Sequence, residues 1–258
     1  MNKVFKVGLV GCGHISETYF RAQEYFNNIK IIRCADINNE AAEKCAKTYD
    51  VKASNINDIF KDKDIEIILN LTIPKAHFEV SEKALLSGKH SYSEKPLDLD
   101  LNKIIKCRKY IEKFSPRIQI GFNRRYDPGH YYLKKSIEKK KIGILQKIII
   151  TCRDPAPPPL AYLKTAGGIF KDMIIHDFDL IRFYLKNDPI KEVFATTSDL
   201  SEYSKLFKKV KDFELATVVL KSQKGVLCTI NNARHCSYGH DQRVEIFGTK
   251  GMLISNNK

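Results

Sequence analysis

Between Gly167 and Leu185 the chain reads GGIFKDMIIHDFDLIRFYL, and three of its residues can do chemistry: Asp172, His176 and Asp179. An imidazole titrates near neutral pH and can take up or return a proton. Carboxylates can orient that imidazole, bond a hydroxyl or hold a cation. Spacings of four and then three stack the three side chains along one face of a helix. The same stretch carries Ile169, Met173, Ile174, Ile181, Phe183 and Leu185, which predicts one largely buried helix after a glycine pair. Buried acids and imidazoles are costly unless they are paired, bound or facing a wet cleft. The stretch by itself leaves three readings: a solvated stripe, a metal site, or a set of acid/base groups.

A second group of residues sits near the N-terminus. KVFKVGLVGCGHISETYF predicts a hydrophobic strand, a glycine turn and a helix start. Gly11 and Gly13 match the first two glycines of a dinucleotide fingerprint, and Ser16 stands where the third is expected. A second apolar run, IKIIRCAD, ends in Asp36. An acid there can accept hydrogen bonds from ribose hydroxyls and would repel a 2′-phosphate. No arginine follows at Ile37 or Asn38, which favours NAD over NADP. The alternative is a turn aspartate that caps the helix beginning near Asn39.

Further elements must position these groups. AAEKCAKTYD predicts a helix, IEIILNLT a buried strand, HFEVSEKALLSG a helix and KHSYSEKPL a short strand and turn. LDLNKIIKCRKYIEKF predicts a helix and RIQIGF a strand. Strands alternating with helices mean βαβ units and a parallel sheet. Thr72, Pro74, Glu94, Lys95 and Pro96 fall at strand ends, where ligands of such sheets bind.

The composition narrows the class. The chain has 258 residues, room for one large domain or two modest ones, and its 43% hydrophobic and 29% charged residues are ordinary for a globular protein. No apolar run reaches membrane-spanning length, and no membrane partner is expected. The N-terminus enters a strand directly, without signal-peptide character. Seven scattered cysteines form no CxxC pair, so a disulfide framework or zinc site is not expected, and a reducing cytoplasm fits. The net charge of +14 comes mostly from lysines spread along the chain. KKSIEKKKIG and SKLFKKVKDF read as exposed sides of amphipathic segments without an aromatic stacking platform, and no nucleic-acid partner is expected.

The ordered set VGLVGCGHIS, LTIPKAHFEV, SEKPL, GFNRRYDPG, RDPAPPP, GGIFKDMIIHDFD and YGHDQRVEIFGTKGML resembles the Gfo/Idh/MocA oxidoreductase family and spans the whole chain. The resemblance implies an N-terminal Rossmann domain over residues 1–122. Over 123–258 it implies a substrate-binding and oligomerisation α/β domain with an open, mostly antiparallel sheet. ILQKIIITCRD, IKEVFATTSD, FELATVVLKS, GVLCTINNARH and QRVEIFG alternate like sheet strands rather than further βαβ units, and DPAPPPLAY reads as a loop. Relatives continue beyond GTKGML, so the second domain is expected to be incomplete, with an exposed sheet edge.

The implied activity is NAD-dependent oxidation of a secondary hydroxyl of a cyclic polyol, myo-inositol foremost. Another sugar or a dihydrodiol on the same scaffold, or a catalytically silent nucleotide-binding protein, are the alternatives. By the same resemblance Lys95, Asp172 and His176 are the catalytic set. Gly11, Gly13, His14, Ile15, Asp36, Thr72, Pro74, His77, Glu94 and Lys95 form the cofactor set. Arg124, Asp154, Asp179 and Tyr238 are placed near the polyol. His240 and Asn123 depart from the usual pattern and are positioned to change which polyol fits. His176 is suited to take the alcohol proton, and Lys95 to stabilise the developing charge on oxygen. A cationic Lys95 would oppose a metal ion, and no metal is expected. The resemblance also implies a homo-oligomer, a dimer or tetramer, assembled through the C-terminal sheet.

Overall fold

The computed structural model describes residues 3–113 and 117–256. Phe114, the last residue of the helix read from LDLNKIIKCRKYIEKF, lies outside the described residues. The chain divides into two compact units, Met1–Gly121 and Phe122–Lys258.

The first unit runs β1 (Phe5–Val10), α1 (His14–Gln23), β2 (Ile29–Ala35), α2 (Asn39–Tyr49), β3 (Lys52–Ala53) and α3 (Ile56–Lys61). It continues with β4 (Ile67–Asn70), α4 (Pro74–Leu86), β5 (His90–Ser93), α5 (Leu101–Lys113) and β6 (Ile118–Ile120). The strands form one parallel sheet in the order β3-β2-β1-β4-β5-β6, the doubly wound dinucleotide-binding order. Alternation along β1 sends Val7 and Leu9 to one face, against Phe20 of α1 and Cys45 and Ala46 of α2. Val10 goes to the other face, with Ile59 and Phe60 of α3 and Ala84 of α4. Helices thus cover both faces, which is why the strand reads as a nearly continuous apolar run. Phe20 stacks on Tyr49 with ring centroids 4.1 Å apart, which ties α1 to α2. β3 and α3 escape a periodicity reading because two and six residues are too short to display a period.

The second unit opens with a short 3-10 turn, Asn123–Tyr126. It continues with α6 (Pro128–Glu138), β7 (Leu145–Arg153), α7 (Leu160–Ala166), α8 (Gly168–Asp172), α9 (Ile175–Leu185) and β8 (Ile190–Ser198). α10 (Ser204–Val210), β9 (Leu215–Ser222), β10 (Leu227–Ala233), β11 (Asp241–Gly248) and β12 (Gly251–Ser255) complete it. The sheet order is β12-β11-β7-β10-β9-β8, antiparallel throughout except for the β7–β10 pair. One face packs Ile148, Ile150, Val218, Leu220, Ile230, Val244 and Ile246 against Leu133, Ile169, Leu180, Ile181 and Tyr184 of the helices. The other face carries Phe194, Val219, Leu227, Phe247, Met252 and Ile254, all exposed. Register pairs Phe194 with Val219 and Phe247 with Met252, so these side chains stand together.

Two expectations change. The segment read as a loop, DPAPPPLAY, yields to helix at Leu160, because the prolines end at Pro159, the N-cap position of α7. The single helix expected from Gly167 to Leu185 is two helices. Gly167 and Gly168 take positive φ, and α8 ends at Asp172. The amides of both Met173 and Ile174 then donate to the Ile169 carbonyl, and the His176 amide donates to the Met173 carbonyl. This change of bonding pattern resets the helix phase between Asp172 and His176. Among the described residues, no helix is long and apolar enough to cross a membrane.

Candidate active site

In the first unit the candidate cofactor residues gather at the C-terminal ends of the strands. β1 runs into Gly11, whose φ is +102° and where a Cβ would lie 2.6 Å from the Leu71 carbonyl. Only glycine fits that turn. The Gly11 amide donates to Ala35 at 2.8 Å, and the Cys12 amide donates to Asp36 Oδ2 at 2.7 Å. At Gly13, the N-cap of α1, an added Cβ would meet nothing within 4 Å. That keeps the helix N-terminus, which favours anions, bare of side chain. His14 and Ile15 follow on the exposed first turn. Ser16, at the third fingerprint position, is buried and returns its hydroxyl to the Gly13 carbonyl at 2.7 Å, so it closes the turn as a small residue.

Asp36 accepts from Cys12 through one oxygen and from Asn38 N–H through the other, at 2.9 Å. The α2 cap is Asn38, which accepts from the amides of Glu40 and Ala41, so Asp36 is not a helix cap. With one N–H on each oxygen, its carboxylate retains lone pairs for further donors.

Thr72 and Pro74 follow β4. The Thr72 hydroxyl donates to Asn70 Oδ1 at 2.7 Å, and Pro74 starts α4. His77 is buried and braces the loop: its Nδ1 lies 2.6 Å from the Pro96 carbonyl and its Nε2 2.7 Å from the Thr72 carbonyl. Glu94 accepts from the Tyr19 hydroxyl at 2.6 Å and from the Lys95 amide at 3.1 Å. Its own amide donates to the Asn70 carbonyl at 3.0 Å. Lys95 is half-buried, and the peptide joining it to Pro96 is cis. Cofactor-set residues therefore come from four adjacent strand ends, those of β2, β1, β4 and β5, and His77 and Asn70 tie the last two together.

In the second unit the acid/base candidates do not share one stripe. Asp172 is buried and accepts from the Tyr162 hydroxyl at 2.6 Å and from Arg234 Nη1 at 3.0 Å. Arg234 is fully buried, and its other terminal nitrogen lies 3.2 Å from Asp212. Asp212 in turn accepts the Ile169 amide at the start of α8, at 2.7 Å. The half-buried His176 stands edge-on to Phe122 and lines a pocket of about 460 Å³ with Asn123, Arg124, Tyr126, Asp127, His130 and Gln242.

Two consecutive arginines of the 3-10 turn diverge. Arg124 enters the His176 pocket, donating to the buried Asp177 at 2.6 Å and to Cys152 Sγ at 3.2 Å. Burial alone would push its pKa down, but Asp177, Cys152 and Asp154 hold it above the ordinary arginine value. With its oxygen turned inward, the Gln242 amide accepts from Arg124 Nε at 3.1 Å and Nη1 at 3.2 Å. Arg125 instead takes Asp179 in a two-point ion pair, at 2.6 and 2.5 Å, and lines a different pocket with Lys134 and Arg182. Asp179 is therefore committed to Arg125 and does not line the pocket of His176.

Asp154 follows β7 with its carboxylate 3.8 Å from His240 Nδ1. Burial raises its pKa, opposed by His240, Arg234 and Arg124. Tyr238 is two-thirds exposed and donates to Asp241 at 2.7 Å, with the Arg153 guanidinium on its hydroxyl. Sequence reasoning missed Asp177, Arg234, Tyr162, His130 and Gln242. Asp177 had a signal, being a charge beside His176 in an apolar helix. Arg234 had none, because its partners lie 62 and 22 positions away.

Residues 5–122 match the family described as an oxidoreductase family with an NAD-binding Rossmann fold, and residues 130–254 match the GFO/IDH/MocA C-terminal domain. The chain is 34% identical over 253 residues to inositol 2-dehydrogenase of Rhizobium meliloti, covering 98% of this chain and 76% of that protein. It is 32% identical to myo-inositol 2-dehydrogenase of Thermotoga maritima, covering 98% of this chain and 75% of that one. Among solved structures, a myo-inositol dehydrogenase from Corynebacterium glutamicum superposes with a TM-score of 0.91 at 33% identity, over 98% of this chain and 75% of that one. Scyllo-inositol dehydrogenase from Lactobacillus casei, with bound NAD(H) and scyllo-inositol, gives 0.88 at 27% identity, over 98% and 76%.

Proposed function

The chain belongs to the Gfo/Idh/MocA oxidoreductase family, and from that premise we propose that it oxidises one secondary hydroxyl of a cyclic polyol, myo-inositol foremost, with NAD. The observation that carries this reading is the pairing of two kinds of site in one chain. One is a glycine turn with a free-edged Asp36. The other is a polar pocket holding His176 and a charge-locked Arg124. The relatives named for inositol oxidation support the substrate class.

NAD, when bound, supplies the hydride acceptor. Gly11, Gly13 and the bare start of α1 receive its pyrophosphate, with His14 and Ile15 beside them, and Asp36 accepts from the adenosine ribose. Thr72, Pro74 and His77 shape the loop at the nicotinamide end, and Glu94 fixes the Lys95 turn. In the reaction, His176 takes the hydroxyl proton and Lys95 steadies the charge that develops on oxygen. Asp172, held by Tyr162 and Arg234, presents an oriented carboxylate to the substrate or to His176. Arg124 and Asp154 bond the remaining hydroxyls. Tyr238 is assigned to the rim and Asp179 to holding Arg125. A pocket built to bond each hydroxyl discriminates against analogues lacking one.

The test is NAD reduction across a panel of inositols, sugars and dihydrodiols. Turnover with an inositol is expected to exceed turnover with the other classes. Its rate should rise with pH, with the rising limb absent in His176→Ala. An unchanged limb in that variant would move the base elsewhere, and no turnover of any polyol would remove the reading. Cofactor choice has its own check. Asp36→Ser with Ile37→Arg is expected to shift kcat/KM toward NADP, since a repelling carboxylate is exchanged for a 2′-phosphate partner. Equal use of NADP by the native protein would contradict the role of Asp36.

A second copy of this chain is the proposed partner, seated on the open sheet face that carries Phe194, Val219, Leu227, Phe247, Met252 and Ile254. An apolar face of this kind calls for cover. Light scattering is expected to give a dimer or tetramer for the native chain and a smaller species for Phe194→Glu. A native monomer would overturn it. The seven free thiols fit residence in the reducing cytoplasm.

A further inference from the structure

Three thiols from three separate elements meet beneath the glycine turn of the first unit. Cys12 lies between Gly11 and Gly13, Cys34 near the end of β2, and Cys45 on α2. Their sulfur atoms all lie within 4.8 Å of one another. Cys34 is fully buried, Cys45 nearly so, and Cys12 is half-buried. Cys12 and Cys34 donate long bonds, to the Ala35 carbonyl at 3.6 Å and the Ala42 carbonyl at 3.4 Å. Thiols are weak donors, so little holds these sulfurs back from a stronger partner.

We propose that Cys12, Cys34 and Cys45 form a three-sulfur site for a thiophilic closed-shell cation of the Zn²⁺, Cd²⁺ or Cu⁺ kind, and that filling it opposes NAD binding. Metal–sulfur bonds of about 2.3 Å place the sulfurs of a trigonal site about 4 Å apart. The triad therefore needs to close by under about 1 Å, within the reach of side-chain rotation. Soft thiolates select these ions over the hard cations that carboxylates prefer. Binding displaces the thiol protons, which makes the affinity pH-dependent.

The antagonism follows from where Cys12 sits. An ion that draws its sulfur toward Cys34 pulls the glycine turn inward and loosens the Cys12 amide from Asp36. It also replaces three neutral thiols by a cluster of net charge −1 or −2, directly under the turn assigned to the pyrophosphate. Both effects weaken NAD. The antagonism rests on the cofactor assignment of Gly11, Gly13 and Asp36, whereas metal binding does not.

The experiment titrates the reduced, metal-free full chain with Cd²⁺. It follows thiolate-to-metal absorption in the ultraviolet and, separately, NADH fluorescence. One equivalent of Cd²⁺ is expected to saturate the band. Cys34→Ala and Cys45→Ala should each abolish it, and Cys107→Ala, from the same unit but outside the triad, should keep it. Cys12→Ser, at a half-exposed position that leaves no cavity, gives the same loss should the buried variants fail to fold. Saturating Cd²⁺ should raise the NADH Kd about tenfold in the native chain and leave it unchanged in Cys12→Ser. No band in the native chain, or a band that survives in the triad variants, overturns the site. A native NADH Kd indifferent to bound Cd²⁺ overturns the antagonism alone.

Discussion

Lys95→Ala is expected to lower kcat for polyol oxidation by about two orders of magnitude or more, while the Kd for NADH stays within about threefold of the native value. The expectation rests on how the lysine is carried. Glu94, one residue earlier, is fixed by the Tyr19 hydroxyl and by the Asn70 carbonyl, and accepts the Lys95 amide. Pro96, one residue later, is held through His77. The backbone on both sides of Lys95 is therefore pinned by contacts that do not involve its ammonium group. Removing that group should leave the loop in place and take away one charge from the reacting oxygen. Such a loss acts on the transition state and appears in kcat. Lys95→Arg is expected to recover little, since a planar fork does not replace a compact point charge. Stopped-flow and steady-state rates, beside NADH fluorescence titration, separate the two readouts. A near-native kcat in Lys95→Ala would assign the charge stabilisation to another group.

Arg234→Ala should destabilise the second unit by about 3–5 kcal/mol. Arg234 is fully buried between Asp172 and Asp212. Truncating it removes the cation that bridges two buried carboxylates and offsets their desolvation cost. The damage also reaches the start of α8, because Asp212 caps the Ile169 amide. Arg234→Lys keeps the charge but loses the two-armed geometry and should recover only part of the loss. The chain has no tryptophan, so urea unfolding is best followed by circular dichroism, with hydrogen exchange to resolve the two units. A loss below about 1 kcal/mol would mean that the carboxylates are neutral or solvated without Arg234.

The sequence by itself determined the features set by local rules. The strand, glycine turn and helix around Gly11 and Gly13 are legible because the turn has to have positive φ at Gly11 and leaves no room there for a side chain. Those demands are met by glycine within a few residues. The parallel sheet of the first unit is legible because strands covered on both faces are uniformly apolar. The second sheet is legible because strands covered on one face alternate. What only the tertiary structure decided are the partners of buried charge. The spacing of Asp172, His176 and Asp179 implies one stripe if the helix is continuous, but the break at Met173 and Ile174 sends each to a different place. Asp172 goes to Arg234 and Tyr162, His176 to the pocket of Arg124, and Asp179 to Arg125. Arg124 and Arg125 are neighbours in sequence and still take different aspartates, Asp177 and Asp179. Neither helical period nor residue type encodes that choice. A buried charge settles on whichever opposite charge the packing brings within hydrogen-bond reach, and that distance exists only once β7, β10 and the helices above them are assembled.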